Sequence, residues 1–508
     1  MRSLFAGLHR RYGQRISSAE RRGLIKDKLD NQPTLPPLGP AAISLVARRR
    51  PKVAIIGGGF SGLMAASELV AHCNVTVFEA RNRFGGRVWS KKKASGIVEA
   101  GGELIGYNHP IWLSLAKRFE LGLSVVTSDP NFDALELDMP LFLDGRRLTD
   151  DEMKQIYHEM DQALKEISEQ AAGIDPRKPW LAKDAQELDR KSISHWIAGL
   201  QCSKLTKLAI EQQFSNDAGQ PTDKQSYLAN LAVISGGRLK RRNDAFFTQT
   251  ETLRCSEGNQ QLAIRLARDV RQKGGKTLRS TPVRAIRIEA EGITLEFGKG
   301  RRPFTADYAV LAIPPSLWPG QPGAKIAITP KLPRAYYVSM GTAVKYLSPL
   351  KKRFWIREGL APSSTSNRFG VTWEGTDNQI GPPSRPVELS LFAGSRAAKR
   401  ALKHYKPGDQ SAVDAFYAER IGEVYEGYVA HLAGKPEFMA WPKDEWTAAG
   451  YSCPAPGEVC RAGPLLEKGF RDRLFFAGEH TCFAYFGYME GALESGRTAA
   501  TAIIRAMG

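Results

Sequence analysis

The chain has 508 residues, with Lys+Arg 72 against Asp+Glu 53 and a formal net charge of +19. Hydrophobic residues make up 42% and charged residues 25%, the balance of an ordinary globular protein, which excludes a disordered, collagenous or coiled-coil chain. That length can bury more than one core, and no run approaches the roughly 18 consecutive apolar residues of a membrane span.

The basic excess begins at the N-terminus, where residues 1–50 hold eleven Lys/Arg against Glu20, Asp27 and Asp30. The segment has no apolar core of a secretory signal. Its Arg content would also suit an organelle transit peptide, but an arm packed on the body is the simpler expectation. Leu4, Phe5 and Leu8 form only a short apolar face for a membrane surface. The six cysteines (Cys73, Cys202, Cys255, Cys453, Cys460 and Cys482) show no metal-ligand spacing and no C-x-x-C. Reduced thiols in a cytoplasmic, bacterial-type soluble protein are expected.

Residues 35–40 (L-P-P-L-G-P) read as a linker. A strand over 52–56, a glycine loop over 57–62, a helix over 63–70 and a second strand over 75–79 complete one β-α-β unit. Residues 150–250 read as mainly helical, with amphipathic helices over 151–170 and 205–214. Strand signals return at 283–288, 293–297 and 308–313, and alternating segments near 338–347 and 387–392 predict a second sheet. A helix is expected over 411–433 with Ser411 as its N-cap. The chain closes on a strand over 474–477 and a helix over 491–506.

The glycine loop carries chemistry. In V-A-I-I-G57-G-G59-F-S-G62, Gly57 permits the tight turn, Gly59 lets backbone approach a pyrophosphate, and Gly62 lets the helix pack on the strand. The helix N-terminus supplies N–H donors and positive dipole to phosphate. Glu79 ends the second strand, where an acid accepts from the adenosine ribose. No second G-x-G-x-x-G occurs, which disfavours electron supply from NAD(P)H through a second such fold, and a disulfide reductase's cysteine pair is missing.

Two further stretches, E79-A-R81-N-R-F-G-G86-R87 with E99-A-G101-G102-E103, and L474-F-F-A-G478-E479-H-T with G487-Y488-M489-E-G, resemble the flavin-containing amine oxidases. The resemblance runs from about residue 52 to the end and is strongest at its two ends. It implies FAD, held at Gly57, Gly59, Gly62, Glu79, Arg81, Gly86, Arg87, Gly101, Gly102, Glu103, Val283, Gly478, Glu479, Gly487 and Met489. It also implies a cage of Tyr451 and Tyr488 that steers the amine over the flavin, Lys345 of G-T-A-V-K placed by a water near the reacting nitrogen, and Trp441 beside the dimethylbenzene ring. The monoamine oxidases carry a flavin-linked cysteine before the first cage tyrosine; here that residue is Gly450, which implies non-covalent FAD.

Within the family, E-A-G-G-E-L-I-G and R254-C-S-E-G-N-Q-Q-L-A look like the bacterial L-amino-acid oxidases, although Glu257 stands where that branch more often has glycine. The implied reaction turns L-amino acids and oxygen into 2-oxo acids, ammonia and hydrogen peroxide. A carboxylate substrate asks for a cation, ideally a bidentate Arg. Leu104-Ile105-Gly106 stands where related enzymes carry one. A primary-amine or polyamine oxidase therefore stays open. So does a flavin-binding protein whose basic arm docks on nucleic acid or an anionic surface, against the expectation of no nucleic-acid partner. A homo-oligomer is compatible with all of these.

The expected fold class is α/β: a discontinuous Rossmann-type FAD-binding domain plus an α+β substrate domain with a mixed sheet and helices. The expected division is 1–46 basic arm; 47–123, 250–328 and 441–508 FAD-binding domain; 124–249 and 329–440 substrate domain.

Overall fold

The computed structural model describes residues 3–13, 50–126, 137–239, 245–376 and 385–507, with positions 23, 36 and 135. Most of the basic arm and all of the 35–40 linker except Pro36 lie outside the described residues.

The β-branched run Lys52–Ile56 forms the centre of a five-stranded parallel sheet, with all but its first residue buried. Asn74–Phe78 and Lys276–Leu278 lie on one side of it, Tyr308–Leu311 and Leu474–Phe476 on the other. Parallel strands need crossovers and are covered on both faces, which explains their continuous apolar sequences. Helix Phe60–Leu69 follows the glycine loop and packs against the C-terminal helix Met489–Met507. Gly496 permits that approach: a Cβ there would lie 2.4 Å from Ser61 O. The two ends of the sequence pattern, some 400 residues apart, thus meet face to face. The strands expected at 283–288 and 293–297 are present, but they belong to a separate four-stranded sheet with Phe304–Ala306 and Ala327–Thr329.

A seven-stranded mixed sheet makes the second layer, in the order Glu437–Met439, Ala343–Leu350, Val387–Gly394, Gly370–Glu374, Ser364–Ser366, Leu141–Leu143, Arg146–Arg147. Helices Asp150–Ala171, Lys204–Ala218 and Tyr227–Gly236 form the helical part, and Thr149 closes the first with a capping box through Glu152. The architecture is the expected α/β class: a parallel sheet with helices, facing a mixed sheet with its own helices.

Three expectations are corrected. The strand expected near 338–347 starts only at Ala343, because Gly341 and Thr342 are bonded to Tyr451 and Gly219 outside the sheet. The helix expected over 411–433 ends at Gly422, and a separate short 3-10 turn, Tyr428–His431, starts after Gly427, whose φ of +72° is not helical. Ser411 is not its cap; Gln410 is, while the Ser411 hydroxyl donates to Asp409. The start of the arm, by contrast, packs on the body as expected: it is a helix, Leu4–Tyr12, with Leu4, Phe5 and Leu8 buried in the same core as Ile156, Met160 and Leu231. Among the described residues no helix is long and apolar enough to cross a membrane, and the six cysteines form no disulfide.

Candidate active site

One cavity runs between the parallel sheet and the mixed sheet, and every expected site residue except Gly62 lines it. Gly62 is behind the wall: a Cβ there would lie 2.0 Å from Gly57 O, so its role is close helix packing. Gly57 itself has φ +113°, a backbone region that suits glycine. At Gly59 a Cβ would meet nothing closer than Gly86 Cα at 4.0 Å, so the space beside this backbone belongs to the cavity, as a cradled ligand requires.

Both Glu79 oxygens accept backbone N–H bonds, from Gly58 and Arg81 at 2.7 Å each. Burial still pushes this carboxyl up, against those two bonds. Arg81 is fixed by Asp444 and by Thr447 Oγ1 at 2.9 Å. Val283 and Gly101 line the same stretch, and a Cβ on Gly101 would lie 1.9 Å from Arg87 O. The buried His480 ring faces this cavity with neither nitrogen hydrogen-bonded, and burial depresses it to about 4, so it is neutral near pH 7.

Glu479 organises the middle of the cavity. Its carboxylate accepts from Arg87 Nη1 at 2.7 Å, from Ser452 N and Oγ, and from Gly487 N at 2.7 Å. Ser452 follows Tyr451 and Gly487 precedes Tyr488, so one anion ties down the neighbours of both cage tyrosines. Arg87 and the Ser452 hydroxyl hold the acid below its usual range although burial opposes them. Gly102 and Met489 sit side by side: a Cβ on Gly102 would touch Met489 Cγ at 3.4 Å. Met489 opens the C-terminal helix, whose N-terminus faces the cavity. The next residue, Glu490, turns away to accept from Ile111 N and Trp112 N, capping helix Pro110–Arg118.

Lys345, in strand Ala343–Leu350, is 5% exposed and donates to Glu103 Oε2 at 2.7 Å and Glu99 O at 2.9 Å. Glu103 also accepts from Trp373 Nε1 at 3.2 Å and lies 3.7 Å from Arg254 Nη1. Trp441 donates its indole N–H to Ala100 O at 2.9 Å, presenting its ring to the cavity. Tyr451 donates to Asp217 O at 2.6 Å, and the Tyr488 ring packs edge-on against His109 and Phe246. Burial, reinforced by Asp217 and Glu251, pushes both phenols well above their ordinary range, so they stay neutral.

Next to the tyrosines is an acidic part of the same cavity, a chamber that sequence reasoning did not find. Asp217, Glu251, Gln213, Phe246 and Phe247 line it, with Ser3 of the N-terminal segment. Asp217 opens onto the cavity, beside Glu251. Burial and the nearby Glu251 raise its carboxyl well above the ordinary value. No spacing pattern marks these residues; lone acids in and after helices look like solvated surface. Glu257, by contrast, is away from the cavity and accepts from Gly122 N.

A nucleotide-binding parallel sheet, a glycine cradle and a second layer across one long cavity define a dinucleotide-dependent oxidoreductase. Residues 60–504 match the flavin containing amine oxidoreductase family, and the chain belongs to it. It is an FAD-dependent enzyme acting on amines. It is 26% identical over 472 residues to a probable flavin-containing monoamine oxidase A of Dictyostelium discoideum, covering 87% of this chain and 95% of that one. It is 23% identical to an L-amino acid dehydrogenase of Synechocystis sp., covering 89% and 94%. In fold it is similar to cyclohexylamine oxidase from Brevibacterium oxydans (TM-score 0.74, 23% identity, 90% and 99% covered) and to putrescine oxidase bound to putrescine (TM-score 0.75, 21%, 90% and 99%).

Proposed function

We propose that the enzyme oxidises a primary amine bearing a second cationic group, such as a diamine, and passes the electrons to oxygen with release of hydrogen peroxide. The observation that carries this reading is the acidic part of the chamber, Asp217 beside Glu251, close to Tyr451 and Tyr488. The cations that line the cavity among the described residues are already committed to acids. Arg81 pairs with Asp444, Arg87 with Glu479, Lys345 with Glu103, and Lys325 lies 3.9 Å from Glu445. Among the described lining residues a substrate carboxylate would meet no cation that is not already beside an acid, whereas an ammonium would meet the acidic groups of Asp217 and of Glu251, which also accepts from Ser3 N.

FAD would be held by the Gly57–Gly59 turn, Glu79, Arg87 and the N-terminus of the Met489 helix, and when bound it supplies the two-electron acceptor. The chain's own residues do the rest. The faces of Tyr451 and Tyr488 attract the entering cation. Asp217 and Glu251 hold its far end, fixing the reach of the near amine. Lys345, held beside Glu103, would keep a positive charge in the cavity wall. Phe246 and Phe247 limit water.

L-amino-acid oxidation is the second reading, favoured by the E99-A-G-G-E-L-I-G stretch and by the cyanobacterial L-amino acid dehydrogenase among the relatives. A panel of putrescine, spermidine, phenethylamine, L-leucine, L-phenylalanine and L-arginine, read by peroxide release and by dye reduction, separates them. Diamines should give the highest kcat/KM; turnover confined to L-amino acids would overturn the primary reading in favour of the second.

A further inference from the structure

The start of the basic arm has a position that its composition does not suggest. Helix Leu4–Tyr12 begins at Ser3, which lines the chamber with Glu251 and Gln213. The first N–H groups of a helix have no partner within it. Here two of the N–H groups at its start are taken by chamber side chains: Ser3 N donates to Glu251 Oε2 at 3.1 Å, and Phe5 N to Gln213 Oε1 at 2.7 Å. The positive end of this helix therefore meets the acidic end of the chamber.

Both ends of the helix are anchored. Leu4, Phe5 and Leu8 are at most 2% exposed, and the Phe5 ring stacks on Tyr157 and meets the edge of Phe247, itself a chamber residue. At the far end Arg11 pairs with Asp138 and Asp150 at 2.6 and 2.8 Å, and Tyr12 donates to Asp150 at 2.7 Å. A segment buried on its apolar face and paired on its polar one is a fixed part of the wall.

We infer that the N-terminal helix is the end wall of the substrate chamber, and that Ser3 at its tip sets how long an amine the enzyme accepts. The inference rests on the amine-oxidase reading above, for which it names a length limit. Ser3→Trp places an indole at the tip, and deletion of residues 1–13 removes the wall. Each is tested with n-alkylamines and α,ω-diamines from four to ten carbons, after flavin loading is checked by absorbance. In Ser3→Trp the kcat/KM ratio of the ten-carbon to the four-carbon substrate should fall at least tenfold; in the deletion it should rise at least tenfold. Iodide should also quench bound-flavin fluorescence more strongly in the deletion, a readout independent of turnover. If the deletion does not retain flavin, Ser3→Trp alone decides. An unchanged length profile in flavin-loaded Ser3→Trp overturns the inference. Should the intact enzyme oxidise no amine, the proposed function fails instead, and the wall is then judged by the length dependence of alkylamine-induced changes in the flavin spectrum: unchanged dependence in Ser3→Trp sinks it.

Discussion

Lys345 and Glu103 form a buried ion pair, Nζ to Oε2 at 2.7 Å, with both side chains 6% exposed or less. The lysine belongs to the mixed sheet and the acid to the loop after Gly96–Glu99, so the pair joins the two layers across the cavity. Breaking a buried pair from one side strands a charge at a cost of roughly 3–5 kcal/mol, more than the net worth of the pair. Glu103→Gln and Lys345→Met should each lower unfolding stability on that scale. The double variant should lose less than the sum, with a coupling energy of about 1–3 kcal/mol. Additive losses in urea melts would show that the two side chains do not act as a unit.

Glu479 should control both the cofactor and the cage. Glu479→Gln keeps the shape but removes the anion from Arg87, Ser452 and Gly487. At about 1.5–3 kcal/mol for charge-assisted bonds, flavin retention or amine kcat/KM should fall by roughly 10- to 100-fold with far-UV circular dichroism unchanged. Wild-type values for both would refute the assigned position of this acid.

Glu99 gives a pH signature. Burial pushes it up to about 7 although Asn259 N and Ser90 Oγ bond to it. Its folded value exceeds its unfolded one, so the native state binds more protons between the two. Its contribution to stability is therefore complete below pH 4.5 and is lost as pH rises through about 7. The loss is on the order of 3 kcal/mol. Glu99→Gln should flatten that slope, leaving the variant more stable relative to wild type at pH 8 than at pH 5. Parallel stability-pH curves would contradict the protonated state.

Asp217→Asn tests the acidic end of the chamber. KM for putrescine should rise about 10- to 100-fold, the scale of one charge-assisted contact, while that for butylamine changes little. Desolvation in the cavity and the nearby Glu251 raise the Asp217 carboxyl, so it ionises at a higher pH than a free aspartate, and wild-type diamine affinity should tighten as pH rises through its titration. Equal effects of the substitution on both amines would count against a second-ammonium site.

Gly450 bears on how the flavin is attached. A Cβ there would lie 2.9 Å from Ala343 Cβ, and among the described residues no cysteine lines the cavity. Acid precipitation should leave all yellow colour in the supernatant; flavin retained in the washed pellet would exclude non-covalent binding.

Much of the cofactor end was legible because its constraints are local. A turn that needs φ +113° at Gly57 and a helix that needs no Cβ at Gly62 leave glycines in a short, fixed frame. Tyr451, Tyr488 and Lys345 could be placed in the cavity only through resemblance, since a tyrosine or lysine has no distinctive spacing of its own. The acid that organises the cage neighbours, Glu479, was expected on the cofactor, and its bonds to Ser452 and Gly487 appear only in three dimensions. Asp217, Glu251 and Ser3 were invisible for the same reason: the Ser3–Glu251 bond spans 248 positions, and no periodicity carries information over that distance. The strands Ser364–Ser366 and Gly370–Glu374 escaped notice because both are buried throughout, so they lack the alternation of a half-exposed strand.

The order of strands in the parallel sheet has a consequence for biosynthesis. Its edge strand, Leu474–Phe476, and the helix that meets Phe60–Leu69 are among the last described residues. On a ribosome, the glycine loop emerges more than 400 residues before the partner that completes its cavity. The nascent chain must carry an unfinished nucleotide site until the Met489–Met507 helix has emerged, so stable flavin capture waits for that helix. Chains that stall before residue 474 are expected to be colourless and to go to chaperones or proteases.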